Sequence, residues 1–280
     1  MPENLHANEI FPYFVFDLVY CKPVHAHEHY YNYTSQKMHT AGLIVIALAL
    51  IPTAVLMVMM LIRDKEQPEP WPWLAKGILF GVLSALGSTF ISVPLIASGL
   101  VPAQFTNWFG ALLEAFGAAA IPEETAKLFF LWLLLRKNPY FDERLDGIVY
   151  AACIGLGFAA IENIQYLISA GDAWLETGLL RGLLAVPAHF FFAVLMGYYY
   201  SLVHFGHNAQ RNRLLVWAVP VLAHGIYDTI AMTQSVSEGW EALFGISLLL
   251  FCNELRKLGQ RHISELADVD HSMYNKDPNG

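Results

Sequence analysis

Charge is scarce in this sequence of 280 residues, because only 14% of them are Asp, Glu, Lys or Arg, whereas 56% are hydrophobic. The mean hydropathy is +0.42. This composition excludes an ordinary soluble domain and is typical of a chain that crosses a membrane several times. The few basic residues form no stripe and the isoelectric point is about 5.7, so nucleic-acid binding has no support in the sequence.

Cysteine is also rare, with only Cys21, Cys153 and Cys252 in the chain. Their odd number and wide spacing, without C-x-x-C, argue against a disulfide framework and a cysteine-based zinc site. The sequence also lacks an H-E-x-x-H motif, an internal repeat and a recognisable signal peptide. We predict that residues 1–40, which are polar and aromatic, form an extramembrane tail. Its histidines at 25, 27 and 29 favour a solvated segment over a metal site.

Long apolar runs take the place of charge. The first, Ala41 to Ile62, has 22 uncharged residues, which suffice to cross a hydrocarbon core of about 30 Å. We therefore predict an all-α polytopic transmembrane helix bundle of about seven spans within residues 41–258. The six further spans are predicted at 74–100, 107–135, 146–169, 182–203, 214–232 and 240–252.

Two parts of the sequence depart from a simple bundle of straight spans. Pro122 interrupts the third run, and proline removes a backbone hydrogen bond and clashes with the preceding turn, so we predict a kinked or broken third span. Residues 259–280 predict a polar C-terminal tail, which we expect to be disordered.

Lysine and arginine are distributed unevenly over the predicted loops. Twelve fall on one side of the seven-span arrangement and three on the other, namely Lys22, Lys37 and Arg181, with Lys127 inside the membrane. The positive-inside rule then predicts an external N-terminus and a cytoplasmic C-terminus.

Several charged residues nevertheless lie in sequence that belongs in hydrocarbon, among them Glu123, Glu124 and Lys127. Ionised side chains inside a membrane cost a few kcal/mol or more, so they must face one another or a water-filled cavity. On a helix, Lys127 lies one turn from both glutamates and can neutralise one while the other stays available. Taken alone, this motif fits a structural ion pair equally well.

The later apolar runs bring further polar groups. In the fourth run, the small residues Gly155 and Gly157 permit close approach of a neighbouring helix before Glu162 and Asn163 occur. The fifth run contributes the histidine at 189.

The sixth run contributes His224, which precedes Asp228 by four residues. The two side chains therefore share one helical face, where the carboxylate can fix the imidazole tautomer or act as a second ligand. We predict that the acids and histidines of the four runs converge on one water-accessible cavity.

Four motifs in this order and spacing resemble the PrsW family of multi-spanning intramembrane proteases. The resemblance covers residues 72 to 256, and this family is related to the CAAX-prenyl-protease and bacteriocin-processing group. The lysine lies three residues after the second glutamate, where the CAAX enzymes carry arginine one residue later, so we assign the chain to the PrsW branch. The motifs are Glu123-Glu124-x-x-Lys127, Gly157-Phe158-Ala159-x-x-Glu162-Asn163, His189 and His224-x-x-x-Asp228.

The resemblance implies an intramembrane endopeptidase that uses buried glutamates and histidines to activate water. Two mechanisms stay open: a glutamate acts as the general base without a metal, or His189, His224 and a glutamate bind Zn²⁺. The predicted catalytic residues are Glu123, Glu124, Glu162, His189, His224 and Asp228, with Lys127 and Asn163 in supporting roles.

The resemblance further implies an integral protein of a prokaryotic plasma membrane, in contact with lipid. Its substrate would be a membrane-anchored protein, which in some relatives is a transmembrane anti-sigma factor. The alternative is a transporter or channel with a Glu, Lys, His and Asp relay for protons or cations. Repeats and paired broken helices would favour that alternative, and the sequence shows neither. A non-enzymatic scaffold would leave the buried polar groups without a purpose.

Overall fold

The computed structural model describes residues 31–206 and 209–274, so Cys21, Lys22 and the three histidines of the N-terminal tail lie outside the described residues. Within the described part the chain is helical and contains no strand, which confirms the all-α prediction. The α-helices are α1 Tyr31–Arg63, α2 Trp71–Ala97, α3 Trp108–Glu114, α4 Ile121–Leu135, α5 Arg144–Ser169, α6 Trp174–Leu180, α7 Val186–His204, α8 Ala209–Gln234 and α9 Glu241–Tyr274. Two π-helical turns, Ala115–Ala120 and Arg181–Ala185, lead into α4 and α7.

Five helical segments in the described part are long and apolar enough to cross a membrane. Large apolar side chains project outward from them, including Phe90 of α2, which is 82% exposed, as expected for surfaces that face lipid. The predicted count of about seven is not confirmed, because the third and seventh predicted runs are not among the five. The segments are Ile44–Arg63, Trp71–Ala97, Arg144–Ser169, Gly171–His204 and Ala209–Gln234.

The third predicted run folds as α3, a π-helical turn and α4. Asn107 caps α3 by accepting a hydrogen bond from the Gly110 amide at 3.0 Å. Pro122 then occupies the first turn of α4, where a missing amide hydrogen is tolerated. The hydrogen-bond register therefore changes in the π-helical turn before Pro122, and a kink at Pro122 itself is not confirmed.

Helix α5 is the centre of the bundle, and glycine permits its close contacts with two neighbours. A Cβ atom on Gly157 would overlap the carbonyl oxygen of Ile78 in α2. One on Gly155 would overlap Ala193 of α7 and lie 3.1 Å from the carbonyl oxygen of His189. The predicted close approach at both glycines is confirmed, and it brings the His189 backbone against α5.

The C-terminal segment is ordered where disorder was predicted, because α9 continues to Tyr274. The prediction is wrong for residues 259–274. These residues are mostly polar, but Ile263 and Leu266, three residues apart, are buried, with 7% and 2% exposure. Asp270 also accepts a hydrogen bond from the Leu145 amide at 2.8 Å, so α9 caps the first turn of α5. At the other end, α1 already begins at Tyr31 and includes residues 31–40 of the predicted tail.

Candidate active site

The eight predicted site residues lie on four helices whose polar side chains meet in the bundle interior. The structure brings all of them into one connected group and adds Arg181, which was not predicted. The contributions are Glu123, Glu124 and Lys127 from α4, Glu162 and Asn163 from α5, His189 from α7, and His224 and Asp228 from α8.

Lys127 is the cation at the centre of this group, and it is 1% exposed. Its Nζ donates to Glu124 Oε1 at 2.8 Å and lies 3.6 Å from Glu123 Oε2. The ammonium also lies 3.9 Å from the centre of the Phe158 ring, which adds a cation–π contact. Lys127 thus pairs foremost with Glu124, and Glu123 Oε2 is buried without a hydrogen-bond partner among the residues that the structure describes.

His189 contacts the group through both ring nitrogens. Nε2 lies 2.8 Å from Glu162 Oε2, and Nδ1 lies 3.2 Å from Lys127 Nζ. An ammonium only donates hydrogen bonds and a carboxylate only accepts them. The contacts therefore assign the hydrogen to Nε2, which donates to Glu162, and leave the lone pair of Nδ1 facing Lys127.

His224 faces carboxylates with both ring nitrogens. Nδ1 lies 2.8 Å from Glu124 Oε1, while Nε2 lies 3.1 Å from Asp228 Oδ2 and 3.9 Å from Glu123 Oε2. A neutral imidazole has only one N–H, so it can satisfy only one of these sides. An imidazolium, a cation beside Nε2, or a protonated carboxyl group that donates to Nε2 satisfies both.

Arg181 binds the carboxylate that holds His189. Its Nη2 donates to Glu162 Oε2 at 2.6 Å, its Nε donates to Asn163 Oδ1 at 2.9 Å, and the guanidinium lies 3.7 Å from the centre of the Tyr166 ring. Its placement in an outer loop was wrong, because the π-helical turn continues the helix and leaves the side chain 15% exposed. The sequence holds little signal for these contacts, since both polar partners lie 18 or 19 residues earlier on another helix.

Asn163 is 0% exposed and uses both ends of its amide. Its Nδ2 donates to the carbonyl oxygen of Ala49 in α1 at 3.2 Å, while its Oδ1 accepts from Arg181. The amide therefore links α1 to Arg181.

The buried charges do not cancel when the histidines are neutral. Four carboxylates oppose two cations, which leaves two negative charges, and an unbalanced interior charge is costly. Two imidazoliums, one divalent cation or protonation of two carboxylates would balance them. The carboxylates belong to Glu123, Glu124, Glu162 and Asp228, and the cations to Lys127 and Arg181.

The residues present fit a metal ion. Glu123, His189 and His224 each offer one ligand atom, and these atoms lie within 4.8 Å of one another. The orphaned Glu123 Oε2 is a donor that a cation would satisfy. Three protein ligands with an open fourth position are the usual arrangement of catalytic zinc sites.

A cavity of about 110 Å³ adjoins this group between α2 and α5. Glu123 and Glu162 line it together with Ser88, Thr89 and Tyr166. A polar cavity of this size holds several waters. The site thus has room for water beside two of its carboxylates, although the histidines are nearly fully buried.

A helical membrane-type bundle whose acids and histidines meet in its interior, beside a cavity with room for water, has the features of an intramembrane hydrolase. Comparison with known proteins gives the particular family: residues 69–253 match the model of the PrsW family intramembrane metalloprotease. The chain belongs to this family, and the predicted class, an intramembrane peptidase, is confirmed.

The relatives that match are bacterial and bear the name Protease PrsW. The protein of Geobacillus kaustophilus is 37% identical over 186 residues, which cover 65% of this chain and 76% of the relative. The protein of Clostridioides difficile is 38% identical over 46% of this chain and 56% of its own length. The Bacillus subtilis protein is 38% identical over 45% of this chain and 57% of its own length. No solved structure matches this chain significantly.

Proposed function

We propose that this chain hydrolyses a peptide bond of a membrane-anchored protein at the site formed by Glu123, Glu124, His189 and His224. The observation that supports this proposal is the convergence of Glu123, His189 and His224 ligand atoms within 4.8 Å, with Glu124 hydrogen-bonded to one of these histidines. Amide hydrolysis needs an activated water, a proton acceptor and stabilisation of the oxyanion, and the group contains residues suited to each task.

The metal-dependent mechanism is the one we favour, with Zn²⁺ as the ion. Glu123, His189 and His224 would hold it, which accounts for the two excess negative charges and for the carboxylates on both sides of His224. When bound, the ion polarises the substrate carbonyl and lowers the pKa of bound water. The description of the family as metalloproteases supports this choice over metal-free glutamate chemistry.

The remaining side chains would handle protons and charge. Glu124 is 0% exposed, and its Oε2 has no hydrogen-bond partner in the described part of the chain, so we assign it the proton of the attacking water. Lys127 would stabilise the negative charge that develops on the substrate carbonyl oxygen, since a fixed buried cation is already oriented. Glu162 would hold His189, while Glu124 and Asp228 would contact the two ring nitrogens of His224.

Two conservative substitutions separate these roles. Glu124→Gln removes the proton acceptor and keeps the three ligands, so cleavage of a membrane substrate should fall at least about 100-fold while bound zinc stays near one ion per chain. Glu123→Gln removes a ligand and should lower both activity and zinc content. Zinc is measured by mass spectrometry on protein that is inserted normally. Full activity in both variants would remove the glutamate pair from the chemistry.

We also propose the finer arrangement in the membrane. The chain would lie in a bacterial plasma membrane with seven spans, of which the continuous helical stretch 108–135 is the third and the first turns of α9 the seventh. A kink in the third span and the relation to the CAAX group stay predictions. The candidate substrate is a transmembrane anti-sigma factor, the class that the resemblance implies. A proton or cation relay is not favoured, because the relatives are named proteases.

A further inference from the structure

We infer that Arg181 is a positioning residue of the peptidase: it holds Glu162 so that Glu162 keeps His189 in one tautomer, with Nδ1 turned toward Lys127. This inference rests on the proposed function, because it assigns the part that Arg181 plays at the same site. Arg181 belongs to none of the motifs that identify the family in this sequence.

The first observation is that one oxygen atom serves two residues. Glu162 Oε2 accepts from Arg181 Nη2 at 2.6 Å and lies 2.8 Å from His189 Nε2. A charge-assisted bond of 2.6 Å is short, so the guanidinium fixes the position of the oxygen that the imidazole contacts. Loss of this bond would free the carboxylate to rotate about its side-chain torsions.

The second observation is the way in which Arg181 itself is held. Its Nε binds Asn163 Oδ1 at 2.9 Å, the guanidinium lies over Tyr166 at 3.7 Å, and Asn163 in turn donates to the Ala49 carbonyl oxygen. Each contact uses a different part of the planar guanidinium, which leaves it little freedom. The α1 backbone therefore holds Asn163, Asn163 holds Arg181, and Arg181 holds the carboxylate of Glu162.

The third observation concerns the backbone. Arg181 begins the π-helical turn Arg181–Ala185, and α7 with His189 follows without interruption. A π-helical turn is wider than an α-helical one and is often found at functional sites. It lets Arg181 and His189, on one continuous helical segment, reach the same carboxylate of α5.

Lysine cannot replace arginine in this role. It would keep the positive charge near Glu162 but offers a point donor on a flexible stem, and it loses both the Asn163 contact and the planar stacking over Tyr166. Arg181→Lys therefore separates orientation from charge. If charge balance were all that mattered, lysine would suffice.

Arg144→Lys is a matched control. Arg144 is also 15% exposed, faces Asp270 with Nη1 3.7 Å from Oδ1, and lies 5.3 Å from the centre of the Phe205 ring. The substitution is therefore chemically the same, at an arginine with an acidic and an aromatic neighbour but outside the catalytic group.

The experiment combines kinetics with nuclear magnetic resonance of the full-length protein in detergent micelles, labelled with ¹⁵N-histidine. Arg181→Lys should lower kcat about 10- to 100-fold with little change in KM, whereas Arg144→Lys should change kcat less than about twofold. In the wild type the ring nitrogens of His189, assigned with a His189→Ala variant, should report hydrogen on Nε2. In Arg181→Lys they should report a mixture of tautomers.

The inference also predicts non-additivity, because Arg181 acts through Glu162. The double variant Arg181→Lys with Glu162→Gln should lose no more activity than Glu162→Gln alone. Unchanged kcat and an unchanged His189 signal in Arg181→Lys would overturn the inference, as would equal losses in Arg181→Lys and Arg144→Lys. A wild-type protein without peptidase activity would overturn the proposed function instead, and the His189 signal would still report on Arg181.

Discussion

Two carboxylates, Glu124 and Glu162, each hold one histidine, and this pairing decides which ring nitrogens face the centre of the site. Glu124 contacts Nδ1 of His224, whereas Glu162 contacts Nε2 of His189. The opposite nitrogens, Nε2 of His224 and Nδ1 of His189, face Asp228 and Lys127 respectively. Such carboxylate–histidine contacts raise ligand basicity and fix ring orientation, so the residues beside the ligands matter nearly as much as the ligands.

Asp228 gives the first residue-scale prediction. Its Oδ2 lies 3.1 Å from His224 Nε2, and Asp228→Asn keeps the size of the side chain but removes its charge. We expect kcat to fall about 10- to 100-fold with normal insertion. Asp172→Asn, at an exposed position, is the same substitution outside the site and should retain activity. Equal activity of the two variants would show that Asp228 has no part in the reaction.

A second residue-scale prediction concerns acids outside the membrane spans. Burial, followed by repulsion from Glu69, raises the pKa of Asp64 from 3.8 to about 7, and burial with repulsion from Asp270 raises the pKa of Glu143 to about 7. An acid whose pKa is higher in the folded state than in the unfolded state binds its proton more tightly when the protein is folded. Stability is then greatest below the ordinary pKa and is lost as the pH rises through about 7.

Thermal unfolding in detergent measures this effect. The melting temperature should fall between about pH 5 and about pH 8, and Asp64→Asn should flatten that slope because asparagine does not titrate. An identical pH dependence in the wild type and in Asp64→Asn would contradict the assignment.

Much of the site could be predicted at the residue scale, because charge within apolar sequence is conspicuous. Glu123, Glu124, Lys127 and His224 stood out on that ground, and the order of the four motifs then linked them to the PrsW family. Arg181 was missed because it adjoins a loop in the sequence, where a charge is unremarkable. Its role depends on a π-helical turn, which has no distinct composition.

At the scale of the elements, the packing of α2 against α5 holds Glu162 in place. Gly157 lies where a Cβ atom would overlap the Ile78 carbonyl oxygen, and backbone cannot yield as a flexible side chain can. Gly157→Ala should therefore destabilise the protein by about 1 to 3 kcal/mol and reduce activity. Gly245→Ala in α9 is the control, since among the described residues its Cβ would have only Gln234 Nε2, at 3.8 Å, within 4 Å. Equal melting temperatures of the two variants would refute the close packing.

Sequence patterns predicted α1, α2, α5, α7, α8 and the first turns of α9 because each is a long apolar run. They failed for the last turns of α9, which carry many polar residues yet bury Ile263 and Leu266. Asp270 looked like a solvated charge but caps α5. Such a contact joins residues 125 positions apart, and no local pattern reveals it.

At the scale of the whole molecule, the orientation in the membrane is open to a direct test. A topology reporter fused after Arg213 should read cytoplasmic and one inserted at Asp172 external, because the positive-inside rule sets the orientation. Opposite readings at the two sites would overturn the seven-span arrangement.

The measurement that tests the account most directly is the comparison of protein N-termini, by mass spectrometry, in membranes of cells that carry the wild-type chain or Glu124→Gln. The account predicts at least one single-span membrane protein with a new N-terminus within or beside its span in wild-type cells, and its absence in cells with the variant at equal abundance. The same set of N-termini in both cells would contradict the claim that this buried group of acids and histidines hydrolyses peptide bonds.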